Sequence, residues 1–348
     1  MPGKIIRAAI VGASSLLGKE VAEELNAAAS TQWELTLLDP GGTETQLTTA
    51  GEEAAVIVPL EADSFIAQDV VFFTDNAAIS REYWKAAAAA GAAIVDFTGG
   101  LEGQPNVIVS APWIKKDNNV LSGPVDLATV AAVSAHPAAI MLGLVLSRLR
   151  EKFTVVRAAA TVLEPASQQG SAGLDEMHGQ TVGLLSFQSL PKDVFDAQVA
   201  FNLSATLGGA ARADLATVSQ GIRRHLEAIA GAETAGLCAV QLIQAPVFNG
   251  YTASVFVELG EEAAIPAISA LLDGGVIGIP DSDDVAPSNQ AATEQGKLLL
   301  QLRAEPAITT QGSGFWLWMA ADNLRLAARN GVASATELLA MKPGGRLQ

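Results

Sequence analysis

The sequence predicts an α/β chain in two parts: a parallel sheet covered by helices on both faces, then a mixed α+β half. Three observations predict it. Apolar, strand-like runs alternate with helical spacings from Ile5 to Ser110, the pattern of parallel strand–helix–strand units. After Pro124 that alternation stops, and strand runs follow one another across a Pro/Asn/Gly turn. The length, 348 residues, suits about two domains at roughly 150 residues each.

Ile5–Val11 is apolar except for Arg7 and stops at Gly12. It reads as a buried strand rather than a signal-peptide core, because no small-residue cleavage site follows it. Leu16–Ala28 places Leu17, Val21 and Leu25 at helical spacing. Trp33–Leu38 is a second strand, closed by the turn cluster Asp39-Pro40-Gly41-Gly42. Val56–Pro59 and Asp69–Thr74 are strands. Ser80–Ala90 is a helix with Ser80 as its N-cap and Gly91 just beyond its end. Ala93–Asp96 and Val107–Ser110 are further strands. In the second half, Pro137–Phe153 is a long apolar helix, Thr154–Leu163 a strand and Gly173–Phe187 a helix. Leu237–Ala245 and Tyr251–Leu259 flank a short turn and are expected to pair antiparallel. Leu298–Arg303 and Phe315–Ala320 are strands, Pro280–Pro287 is an acidic loop, and Asp322–Met341 is the closing helix.

Lys and Arg number 21 against 37 Asp and Glu, a net charge of −16. Phosphate backbones repel such a chain, so no nucleic-acid partner is expected. Hydrophobic residues make up 49% and charged residues 17%, which supplies a sizeable core and argues against disorder. No uncharged stretch near about 20 residues is apolar enough for a membrane span. A cytoplasmic protein with no membrane partner is expected. One Cys and three His exclude a disulfide framework and a Cys-rich zinc site, and no metal is expected.

Gly12-Ala13-Ser14-Ser15-Leu16-Leu17-Gly18 joins the first strand to the first helix. A pyrophosphate needs a tight turn, close backbone approach and a helix N-terminus aimed at it. Gly12 and Gly18 supply the outer glycines of a dinucleotide fingerprint, and Ser15 occupies the middle glycine's place. Ser14 and Ser15 add hydroxyl donors. Asp39 ends the second strand about 20 residues on, where an acid bonds a ribose 2′-hydroxyl. The candidate cofactor residues are Gly12, Ala13, Ser14, Ser15, Leu16, Gly18 and Asp39. NAD is favoured over NADP, since Asp39 would repel a 2′-phosphate. The same glycines could serve helix–strand packing alone.

This turn, together with Val199–Gly208 (VAFNLSATLG), Ala245–Leu259 (APVFNGYTASVFVEL) and Asp322–Leu339 (DNLRLAARNGVASATELL), resembles the aspartate-semialdehyde dehydrogenase family in the right order. The resemblance covers nearly the full chain. It implies a Rossmann-like NAD(P)-binding domain over 1–133 and an α+β dimerisation domain of the glyceraldehyde-3-phosphate-dehydrogenase C-terminal type over 134–321. The C-terminal helix, 322–348, would return to the first domain.

The family's reaction uses a cysteine thiolate at a helix N-terminus, where the dipole favours the anion, and a neighbouring histidine. In this sequence the nucleophile position falls on Pro137, in Ser134-Ala135-His136-Pro137-Ala138-Ala139. The histidine position, after Pro246-Val247-Phe248-Asn249-Gly250, is Tyr251. A phenol with a pKa of about 10 is a poor proton acceptor at neutral pH. A family glutamine maps to Glu164, a phosphate-binding arginine to Glu102, and the lysine after Asp-Asn-Leu-Arg to Leu326. Without a thiol at the site the covalent step is lost. The chain therefore looks like the family's non-catalytic, Usg-type relatives.

Other residues offer weak substitutes. Cys238, the only thiol, lies in an apolar run and reads as packing. His136 with Ser134 has no triad spacing. His178 and Asp175 form only a two-ligand face and read as solvated. His225 reads as exposed on a helix, and Trp316 and Trp318 as core or interface residues in a strand. The expectation is a catalytically silent homodimer that retains a nucleotide site, with its pairing surface supplied by Pro137–Phe153 and the strands of the second half. The alternative is an NAD(P)-dependent oxidoreductase acting on an aldehyde through an altered site of Glu164, Tyr251 or His136. The small-molecule substrate stays unassigned.

Overall fold

The computed structural model describes residues 5–28, 31–41, 46–50, 53–114, 129–280, 287–305 and 312–341. The acidic loop expected at Pro280–Pro287 lies, apart from its ends, outside the described residues. The chain divides into two compact units. One comprises Met1–Trp113, Leu121–Ala135 and Ala327–Gln348, and the other Ile114–Val120 and His136–Leu326.

The first unit holds an eight-stranded sheet of β1 (Ile6–Val11), β2 (Trp33–Asp39), β3 (Gln46–Ala50), β4 (Glu53–Pro59), β5 (Val70–Phe73), β6 (Ala93–Asp96), β7 (Val107–Ser110) and β8 (Ala131–Ser134). Its order is β3-β4-β2-β1-β5-β6-β8-β7. All pairs are parallel except β3 with β4, an antiparallel edge. The central strands are apolar on both faces for a physical reason. Ala8, Ile10, Val70 and Phe72 face one core, and Ala9, Val11, Val71 and Phe73 face the other. The helix Leu16–Ala27 sends Val21, Ala22 and Leu25 into the first core. The helix Asn323–Met341 adds Ala328, Ala335 and Leu338 to it. Gly331 permits that close approach, since a Cβ there would sit 2.1 Å from the Phe97 ring.

Ser80 is not a cap. The helix runs Ala77–Ala89, and the Asn76 side chain caps it by accepting from the Ala78 amide. Ser80 points inward instead and donates to the buried Asp96 carboxylate at 3.1 Å. Asp96 also accepts from the amides of Thr98 and Leu101 and from the Thr98 hydroxyl, which fixes the turn after β6.

The second unit holds a six-stranded sheet of β9 (Val155–Glu164), β10 (Cys238–Gln244), β11 (Tyr251–Leu259), β12 (Ile277–Gly278), β13 (Leu298–Ala304) and β14 (Ser313–Ala321), ordered β10-β9-β11-β14-β13-β12. Period-two burial shows that only one face is covered. Ala158, Ala160, Val162, Ala253, Val255, Val257, Phe315, Leu317 and Met319 are buried on it. The helices Pro137–Lys152, Leu215–Ala230 and Ile265–Leu272 pack on this side. Thr161, Ser254, Phe256, Gln301, Trp316 and Trp318 lie on the opposite, partly open face. There the Phe256 and Trp316 rings stand 5.3 Å apart.

Two expectations are corrected here. β10 and β11 do not pair, because β9 lies between them, parallel to β10 and antiparallel to β11. The link from β10 to β11 passes the end of β9, where the Val247 and Phe248 carbonyls accept from the Ala166 and Ser167 amides. The helix Pro137–Lys152 is buried from Pro137 through Ser147, so that stretch is not an open surface.

Candidate functional site

The glycine turn sits at the carboxyl end of β1, where strand order reverses between β2 and β5, the position at which open α/β sheets bind ligands. Gly12 has φ +87°, and a Cβ there would lie 2.6 Å from Asp75 Cβ. A Cβ on Gly18 would lie 2.2 Å from the Gly12 carbonyl oxygen, so Gly18 lets the helix press against the turn. Ser15 is the N-cap of Leu16–Ala27, and its Oγ accepts from the Gly18 amide at 2.9 Å. Its other hydrogen-bond partner is Thr74 Oγ1 at 3.3 Å. The Ser15 hydroxyl therefore shapes the turn. The first-turn amides of Leu16 and Leu17 have no acceptor within the helix and point outward from its start.

Asp39 closes β2 and accepts from the Ser14 amide at 3.2 Å. A cleft beside it is lined by Gly12, Pro40, Thr74, Asp75 and Asn76. Thr74 donates to the Val11 and Gly12 carbonyls, tying β5 to the turn. The Asp75 carboxyl is raised above its ordinary pKa, first by burial and then by the charge of Asp39. Thr74 and Asp75 were not among the sequence candidates, although Thr74 ends the predicted strand Asp69–Thr74 and Asp75 directly follows it. The glycine turn at the switch point fits a dinucleotide.

A second arrangement closes the covered face of the other sheet. Gln244, Glu164 and Tyr251 end or begin adjacent strands and form one polar row across β10, β9 and β11. All three are fully buried. The Tyr251 hydroxyl donates to Glu164 Oε2 at 3.3 Å and lies 3.4 Å from His136 Nε2. His136 is the N-cap of Pro137–Lys152, with Nδ1 accepting from the Ala138 amide at 3.2 Å. That acceptor role leaves the ring proton on Nε2. Donation therefore runs from His136 to Tyr251 to Glu164. Pro137 begins the helix and is buried. Its ring has no proton to give and suits this position structurally.

Burial pushes the Glu164 carboxyl up to about 7, against the pull of the Tyr251 hydrogen bond. Burial, then the Glu164 charge, drive the Tyr251 phenol well above its ordinary pKa, so it acts as a donor. Glu164 Oε1 and Gln244 Oε1 are buried without a hydrogen-bond partner. Asn323 steadies the row from behind, accepting from the Gly250 amide at 2.8 Å.

The structure gathers His136, Glu164 and Tyr251, which the sequence treated as separate candidates, and adds Gln244 and His225. His225 is not exposed. It is buried, and its Nδ1 accepts from the His136 amide at 2.9 Å. Helical spacing held the signal, because His225 lies three residues after Ile222 on the face that buries Leu226 and Ile229. Cys238 is buried in β10, and burial raises its thiol to about 11. Ser134 is held by the Asn330 amide. Among the described residues, no group of three or more metal-ligating side chains comes together, and no helix is long and apolar enough to cross a membrane.

The chain has a Rossmann-like parallel unit with a glycine turn at its switch point and a mixed-sheet unit, the two parts of a dehydrogenase scaffold. The chain belongs to the semialdehyde dehydrogenase family: residues 7–120 match its NAD-binding domain and residues 146–326 its dimerisation domain. It is 27% identical over 338 residues to a USG-1 protein homolog of Pseudomonas aeruginosa, covering 96% of this chain and 97% of that one. It is 24% identical over 340 residues to the aspartate-semialdehyde dehydrogenase of Rickettsia bellii, covering 95% and 97%. Aspartate semialdehyde dehydrogenase II of Vibrio cholerae shares the fold with a TM-score of 0.81 at 21% identity, over 97% of this chain and 99% of that one.

Proposed function

We propose that this chain is a homodimeric, nucleotide-binding member of the family that does not carry out thiolate-dependent aldehyde oxidation. One observation carries the reading. The helix start where the resemblance places a nucleophile presents buried Pro137, while the only thiol, Cys238, is enclosed in β10 with its pKa raised. A thioester cannot form at a proline, and a protonated, enclosed thiol is a poor nucleophile.

The nucleotide is NAD rather than NADP. Gly12, Ala13, Ser14, Ser15, Leu16 and Gly18 would hold the pyrophosphate, and Asp39 the adenine ribose; bound NAD would supply a hydride acceptor. The partner is a second copy, seated on the open sheet face around Phe256, Trp316 and Trp318, and the location is the cytoplasm. Calorimetric titration with NAD and NADP tests the cradle: saturable NAD binding supports it, and no signal from either nucleotide defeats it.

A second reading is favoured by the hydrogen-bonded row. In an oxidoreductase without a thiol, bound NAD would supply the hydride acceptor for an aldehyde substrate, and Glu164, with Tyr251 and His136 beside it, would be the group able to take up a proton. Nicotinamide reduction by the wild type that fails in Tyr251→Phe supports this reading over the first.

A further inference from the structure

We infer that the end of β9 and β10 binds a small protonated primary amine, held between Glu164 Oε1 and Gln244 Oε1. Gln244 and Glu164 are register partners on adjacent parallel strands. Their side chains therefore leave the same face of the sheet, roughly 4.8 Å apart at the backbone. The Gln244 amide nitrogen donates to the Glu164 carbonyl at 3.0 Å and the Ala245 carbonyl at 3.2 Å. Those two bonds settle which end of the amide is oxygen and turn Oε1 away from both carbonyls. On the carboxylate, Tyr251 serves Oε2 and leaves Oε1 unserved. Gln169 is a further donor beside the same carboxylate, and Oε1 still has no partner at hydrogen-bond geometry.

Two buried acceptors, one on a carboxylate, remain without a partner in the row. Buried acceptors are nearly always satisfied, and leaving one unsatisfied is costly. The group that satisfies both carries at least two N–H donors and a positive charge, which describes a primary ammonium. The carboxylate belongs to this chain in particular, since the family resemblance places a neutral glutamine at Glu164. This inference depends on neither nucleotide binding nor catalysis.

The test is the urea midpoint of the full-length protein at mildly alkaline pH, titrated with methylammonium chloride. Tetramethylammonium chloride matches the charge without N–H donors, and sodium chloride controls for salt. The expected result is a saturable rise in midpoint with methylammonium alone, absent from Glu164→Gln. Gln244→Met removes the second acceptor without touching the carboxylate, and the response should fall at least about tenfold in apparent affinity. An equal response to tetramethylammonium, or an undiminished response in Glu164→Gln, overturns the assignment. So does no response at all, which is the outcome if Glu164 holds its own proton against Gln244 or a water bridges the two oxygens.

Discussion

Tyr251 donates to Glu164 across 3.3 Å, and both side chains are fully buried in the same polar row. The hydrogen bond favours the carboxylate, but burial outweighs it and holds the carboxyl near 7 instead of 4.5. Between those values the folded protein binds a proton that the unfolded chain releases. Stability supplied by Glu164 is thus full below about pH 4.5 and lost as pH rises through about 7. A shift of that size corresponds to roughly 3 kcal/mol. Urea denaturation at about pH 5 and about pH 8 should show Glu164→Gln gaining on the wild type at the higher pH by on the order of 2–3 kcal/mol. An unchanged difference between the two pH values contradicts the assignment.

In the proposed nucleotide site Gly12 and Asp39 act by separate routes. Gly12→Ala would force a Cβ into Asp75 at a φ that alanine tolerates poorly. It should cost about 1–3 kcal/mol in stability and abolish NAD binding by calorimetry. Asp39→Ala removes the repulsion of a 2′-phosphate. The ratio of NADP to NAD affinity should rise at least about tenfold, while the fold, monitored by circular dichroism, holds.

Cys238 should behave as packing. An aromatic disulfide reagent should label it slowly or not at all in the native protein near neutral pH, and fully in denaturant. Burial and a pKa of about 11 leave almost no accessible thiolate. Rapid native labelling contradicts that picture and reopens thiol chemistry.

Trp316 stands on the open sheet face beside Phe256. In a two-fold dimer the same patch meets itself, so Trp316→Glu places two carboxylates close together. Light scattering after size exclusion should show a dimer for the wild type and a monomer for the variant. A wild-type monomer at micromolar concentration contradicts the pairing surface.

Much of this was legible in the residues, in proportion to how local the determinants are. Gly12 and Gly18 mark their turn because only glycine fits both positions. The doubly buried strands announce a parallel sheet because each alternate residue meets a different core. The order of the second sheet was not legible, since β9 enters between β10 and β11 from a segment more than seventy residues upstream in the chain. Ser80 was misassigned because serine caps helices as readily as asparagine, and only Asp96 in three dimensions explains its inward turn. His136, Glu164 and Tyr251 were each visible, but their common row depends on strand pairing that no local pattern encodes.

The most direct test of the account follows nicotinamide reduction when the purified protein meets aspartate semialdehyde and phosphate with NAD or NADP. With Pro137 where a nucleophile is needed, no phosphate-dependent reduction is expected with either nucleotide. Turnover that requires phosphate, and that disappears in Cys238→Ser, would contradict it.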